Sequence, residues 1–221
     1  MCYDAKTSLS TFLIGSVFLL FLFIRNYQLD RFFVFVWIPI ILMQLCEYFM
    51  WKDQKCGKAN RISSICAFLL LKFQPLFVVL GVRFLSKSIL PNKVLDIIVG
   101  IVSIFFIILV SITLLEKKNF QICSKPGLHK HLSWDHENLF KLSPKGIIWP
   151  YYYIYYLVLL LSLTLIPQSL GILYFVIYLA SIVFTHYINY GKSDAWKSYW
   201  CHISNYLLVI PVIAGYLFKQ K

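Results

Sequence analysis

Residues 32–51 read FFVFVWIPIILMQLCEYFMW, a run of 20 in which Glu47 is the single charge. A helix needs about 20 mostly apolar residues to cross the hydrocarbon core of a bilayer, and an apolar run this long with one charge is a spanning pattern. The pattern recurs on both sides of this stretch. It predicts spans over 7–24, 62–85, 94–115, 149–166, 170–188 and 199–218, with one long connection over 116–148. The expected fold is therefore all-α, a polytopic transmembrane bundle of seven helices forming a single domain over 1–221.

Composition agrees with the pattern. Of 221 residues 60% are hydrophobic and 18% aromatic, while only 14% are charged. Soluble domains hold about 25% charged residues, so a water-exposed surface cannot be built from this chain. The net charge of +12 would suggest nucleic acid in a soluble protein. Here the Lys and Arg residues flank apolar spans, where they anchor headgroups and set topology, so no nucleic-acid partner is expected and the lipid bilayer is.

Arg25 closes the first span directly and no A-x-A-like cleavage site follows it, so this segment reads as an uncleaved first helix. Trp149, Pro150 and the run Tyr151, Tyr152, Tyr153, Ile154, Tyr155, Tyr156 suit a water-to-lipid boundary at the start of the fifth span. Pro167, Gln168 and Ser169 leave room only for a tight antiparallel turn between spans five and six. Connections longer than about 12–15 residues without structure of their own are more often functional or mobile than inert, which draws attention to 116–148.

Orientation divides two arguments. About 13 Lys and Arg lie on the side of the N-terminus and about 7 on the other, which favours the N-terminus inside. Cys56 and Cys123 fall on the richer side, and a disulfide between them would need an oxidising compartment. The charge count is the basis of the expectation here: N-terminus inside, both cysteines free.

Few polar residues lie within the spans, and each is costly in hydrocarbon. Glu47 shares a helix face with Gln44 and Trp51, at i−3 and i+4. It reads either as a ligand-binding, metal-binding or proton-carrying carboxylate facing the bundle interior, or as a structural group snorkelling toward Lys52. Lys72 lies mid-span, two residues before Gln74 and Pro75; the proline predicts a kink and a freed carbonyl near Leu71. A Glu47 to Lys72 ion pair would require matching depths. Asp96 reads as interfacial.

Alternating connections bring several further residues to the end of the bundle that holds Glu47. They are Cys2, the loop motif His131, Leu132, Ser133, Trp134, Asp135, His136, and the dipeptide Trp200, Cys201, followed at helical spacing by Ser204, Asn205 and Leu208. The candidate binding set is thus Gln44, Glu47, Trp51, Gln74, His131, Trp134, Trp200 and Cys201, with Lys72 as an intramembrane charge.

His129, His131, His136, Glu47, Asp135 and Cys201 are metal-ligand types, but no paired spacing such as H-x-x-x-H or C-x-x-C occurs, so no metal is expected. A Cys201 nucleophile with His131 or His202 is no better marked. There is no G-x-S-x-G, P-loop or dinucleotide fingerprint and no Lys within the seventh span for a retinal Schiff base, and these patterns leave any cofactor unidentified. The catalytic residues, if any, are not identified by these patterns.

Met1, Cys2, Tyr3, Asp4, Ala5, the 44–51 patch, Gln74–Pro75, the 131–134 motif and Trp200–Cys201 together resemble a family of small seven-span membrane proteins of bacteria and large DNA viruses. Its members start M-C-x-x-A, often with Ser where Asp4 stands here, and some bacterial members carry extra loop cysteines that this chain lacks. The resemblance implies the seven-span fold and adds no activity. Three functions remain open. The first is a bundle that binds or passes a small molecule, ion or lipid headgroup, with a homo-oligomer among its open arrangements, since an odd helix count leaves no inverted repeat. The second is a membrane-embedded lipid-modifying enzyme using Glu47, His131 or Cys201. The third is a structural membrane protein of a virion or organelle.

Overall fold

The computed structural model describes residues 4–115, 122–127, 132–133, 160–161, 164, 168–188 and 203–217. Helices make up 83% of them, in the order α1 (Ala5–Arg25), α2 (Asp30–Lys52), α3 (Lys58–Leu85), α4 (Asn92–Leu115), α5 (Gln168–Ile188) and α6 (Val209–Leu217). Six helices stand among the described residues, not the expected seven; the predicted fifth span, 149–166, lies outside them apart from residues 160, 161 and 164. Inside the long connection, β1 (Lys125–Pro126) pairs antiparallel with β2 (Leu132–Ser133).

Three helices, α1, α2 and α3, are long and apolar enough to cross a membrane. Their ends are chemically marked. The Asp4 carboxylate caps α1 by accepting from the Thr7 N–H at 2.7 Å, and that bond holds its pKa below the usual carboxylate value. Asn26, with φ of 55°, takes the left-handed conformation that ends α1 and donates its N–H to the Leu22 carbonyl. α3 runs unbroken through Pro75, and α2 through Pro39.

α2 is the central helix. It buries Phe32, Phe33, Val36, Trp37, Ile40, Ile41, Met43, Gln44, Glu47 and Met50, which at about 3.6 residues per turn share one broad half of its circumference. α1 lies antiparallel against it where Gly15 meets Ile41; an added Cβ on Gly15 would come within 2.9 Å of that side chain. On the other side α3 runs antiparallel too, with Phe77 on Phe35 and the Asn60 amide on the Met50 carbonyl. α5 packs by Tyr174 against Phe33 and Trp37, and the helical turn at 203–206, ahead of α6, is reached by the Trp37 indole N–H, which donates to the Ser204 carbonyl.

The expected seventh span, 199–218, is not one continuous helix in its described part. Residues 203–206 form a helical turn, 207–208 break it, and α6 begins at Val209. Pro211 supplies the reason: it has no N–H to give, and its ring collides with the carbonyl four residues back, at Leu207.

At one end of the bundle a buried ion pair ties three helices together. The Arg25 guanidinium holds both Asp30 oxygens at 2.6 and 2.8 Å, and also donates to the carbonyls of Val212 and Pro211. Gly215 leaves the space, since a Cβ there would run into the guanidinium. Tyr27 and Tyr216 flank the cation with their rings.

Candidate functional site

The opposite end holds the residues singled out by sequence. Glu47 and Gln44 are both fully buried on the inner face of α2, and Trp51, one turn further, is half-buried. The helical i−3, i+4 spacing does put the three on one face, as expected. His131, Trp134, Trp200 and Cys201 lie outside the described residues, as do Cys2, His129, Asp135, His136 and His202. Of the loop motif, Leu132 and Ser133 are described, and Leu132 is buried in the main core beside α2.

Helix register shows which other side chains reach Glu47's depth. Counting outward from the Gly15–Ile41 contact along antiparallel helices, Thr11 and Ser8 of α1 come level with Gln44 and Glu47. Both are buried. Counting from the Tyr174–Phe33 and Tyr174–Trp37 contacts along α5, which runs parallel to α2, Thr185 arrives at the same depth and is fully buried. Asn205 sits about one turn away, its Oδ1 near Gly15. Thus α1, α2, α5 and the 203–206 turn each contribute hydroxyl, carboxamide or carboxylate oxygens to one layer of an otherwise apolar bundle. Such oxygens suit a cationic group or a hydrogen-bonding headgroup.

Lys72 and Gln74 belong to a different depth. The pairing of Asn60 with Met50 and of Phe77 with Phe35 sets Lys72 opposite residues 38–40 and Glu47 opposite residues 63–65. At a rise of about 1.5 Å per residue the two charges are roughly 10 Å apart along the axis. Arg25–Asp30 and Arg83–Asp96 are ion pairs among the described residues. Lys72, 6% exposed, extends over the Phe68 ring. The Gln74 amide donates to the Met43 sulfur at 3.2 Å, and its buried Oε1 has no hydrogen-bond partner among the described residues. The Gln74 amide thus contacts α2 at Met43, the residue before Gln44. Asp96 is half exposed and paired with Arg83 at 2.6 Å, as an interfacial residue would be.

Cys56 and Cys123 are not free: they form a disulfide with Cα atoms 5.4 Å apart, which corrects the expectation of two thiols. The cause is a hydrogen-bonded clamp beside the bond that spacing did not reveal. The buried Asn60 side chain donates to the carbonyls of Met50, Asp53 and Ser124 and accepts from the Ser124 N–H, while the Ser64 and Ser124 hydroxyls meet at 2.8 Å. Ile122 packs with Phe68 on the outer side of the same turn. Asp53 caps the start of α3, accepting from the N–H groups of Asn60 and Gly57, and these two bonds, Asn60's first, lower its pKa. The signal for the clamp was present in the sequence as Asn60 and Ser64, polar residues one turn apart at the start of a span, but their partner Ser124 lies at least 60 residues on.

Among the described residues no group of three or more His, Cys, Asp or Glu side chains is placed to hold a metal ion. Comparison with protein-family models, with curated proteins and with solved structures found no match for this chain.

Proposed function

We propose that the chain is a multi-pass integral membrane protein of seven spans that binds or passes an ion, small molecule or lipid headgroup carrying a positive charge, at the bundle end around Glu47. Support for the membrane comes from α1. Its buried residues are Ser8, Thr11, Gly15 and Leu22, while Leu13, Val17, Leu20 and Ile24 are 54–71% exposed. A helix in water turns its large apolar side chains inward. Small and hydroxyl residues inward with large apolar residues outward is the arrangement of a helix packed in lipid. The observation that carries the binding reading is the fully buried carboxylate of Glu47 at the depth of Gln44, Thr11 and Thr185. Carboxylate, carboxamide and hydroxyl oxygens gathered at one depth of an apolar bundle are the donor set that a cationic group or a hydrogen-bonding headgroup uses.

Detergent-purified protein titrated separately with potassium chloride and with phosphatidylethanolamine, and read by native mass spectrometry and thermal shift, tests the reading. One probe should bind, and Glu47→Gln should weaken it at least tenfold while leaving the unliganded melting temperature within a few degrees. Binding of neither probe, with Glu47→Gln changing stability alone, would leave Glu47 as a packing element.

A further inference from the structure

We infer that the end of the bundle carrying Glu47, the α2–α3 turn and the paired strands β1 and β2 faces an oxidising compartment, so that any ligand of that end arrives from the lumenal or extracellular side. The inference rests on the membrane reading above and reverses the orientation that the charge count favours.

The disulfide is the first ground. Cytosolic thiols are kept reduced, and bonds that are part of the fold persist in secretory, periplasmic or extracellular settings. A Cα separation of 5.4 Å lies inside the usual range of about 4.4–6.8 Å. The second ground is that the cysteines are held together by interactions independent of the bond. Cys123 is followed by Ser124, whose N–H, carbonyl and hydroxyl are all bonded to Asn60 or Ser64. Cys56 stands in the left-handed region at φ 61°, its carbonyl bonded to Arg61, directly before Gly57, which the Asp53 carboxylate holds. Folding thus delivers two thiols to bonding distance, and an oxidant of the compartment, a protein or small-molecule disulfide, accepts the two electrons and two protons as the bond forms.

The Lys and Arg excess points the other way, and the two signals differ in kind. The excess is a bias summed over loops while the chain inserts, each residue worth about 1 kcal/mol near an anionic surface. The disulfide is a covalent record of the compartment in which the folded chain resides. With helices alternating, α1 then starts on the oxidising side and α6 ends at the Arg25 end, on the reducing side.

The sequence contains no Asn-X-Ser/Thr acceptor, so introduced acceptors report without background. The full chain, extended at its N-terminus or at its C-terminus by a short acceptor tag, is translated with microsomes. Glycosylation of the N-terminal tag alone is expected. In parallel, a maleimide mass tag applied to the denatured, unreduced protein should add two further labels after reduction, and Cys56→Ser,Cys123→Ser should abolish that increment. Glycosylation of the C-terminal tag alone, or full labelling of Cys56 and Cys123 without reduction, overturns the inference while leaving membrane insertion intact. Release of the chain by alkaline carbonate with neither tag glycosylated would instead overturn the membrane reading, and this inference with it.

Discussion

Arg25 shows how a single side chain can fasten three helices. Its side chain is 6% exposed and that of Asp30 3%, so removing either partner leaves a charge in a site without water. Breaking such a pair costs about 3–5 kcal/mol. Arg25→Ala should lower unfolding stability in mild detergent by that order, and Arg25→Lys should recover little, because a point charge cannot span both Asp30 oxygens and two carbonyls. Nearly unchanged melting of Arg25→Ala would show that α1, α2 and α6 are held by packing alone. At the other end Asp53 makes stability depend on pH. Its pKa is lowered in the fold by the Asn60 and Gly57 N–H groups, so its contribution is present above the unfolded value of about 3.9 and is lost as pH falls through the folded value. Thermal melts from pH 7 to pH 3 should lose a component in the wild type that Asp53→Asn lacks; identical acid profiles would show that the cap contributes nothing. Of the candidate residues, Glu47, Gln44 and Trp51 were legible because one helix face carries them. Whether Lys72 lies level with Glu47 depends on which residue of α2 it faces, and spacing along one helix does not contain that.

Helices were legible from apolar runs, and their limits came within a few residues for α1 to α5 because charges, Asn26, Pro91 and Pro167 punctuate the chain. The break before α6 was missed although Pro211 announced it, since the surrounding residues are apolar enough to read as one span. The long connection was the least legible element. Its described pieces are fixed by Asn60, so Asn60→Ala should act on the loop more than on the helices. It strips the partners of the Ser124 carbonyl and N–H, worth about 1–3 kcal/mol each when buried. Under reducing conditions the variant should therefore be cleaved within 122–133 by a low protease concentration that spares the reduced wild type. Equal protection of both would show that the disulfide and Ile122 suffice to dock the loop.

Across the whole molecule, exposed large apolar residues recur at helical spacing on α1, on α4 at Ile97, Ile101, Ile104 and Ile108, and on α5 at Ile172, Val176 and Val183. A charge placed on such a face should impair insertion: Val17→Asp or Ile104→Asp, each replacing an outward residue at least 60% exposed, should cost about 2.5–3.5 kcal/mol at mid-span. The carbonate-resistant fraction of each variant measures it, and unchanged integration would count against lipid at these faces. The apolar runs by themselves determined that this chain forms long helices suited to a bilayer, because hydrocarbon leaves the backbone few other ways to satisfy its hydrogen bonds. Only the tertiary structure decided which polar residues share a depth, that Arg25 finds its partners on α2 and α6, and that Cys56 meets Cys123. Those outcomes depend on register between helices far apart in the chain, set by small contacts such as Gly15 on Ile41 and Asn60 on Ser124, which no periodicity within one segment encodes.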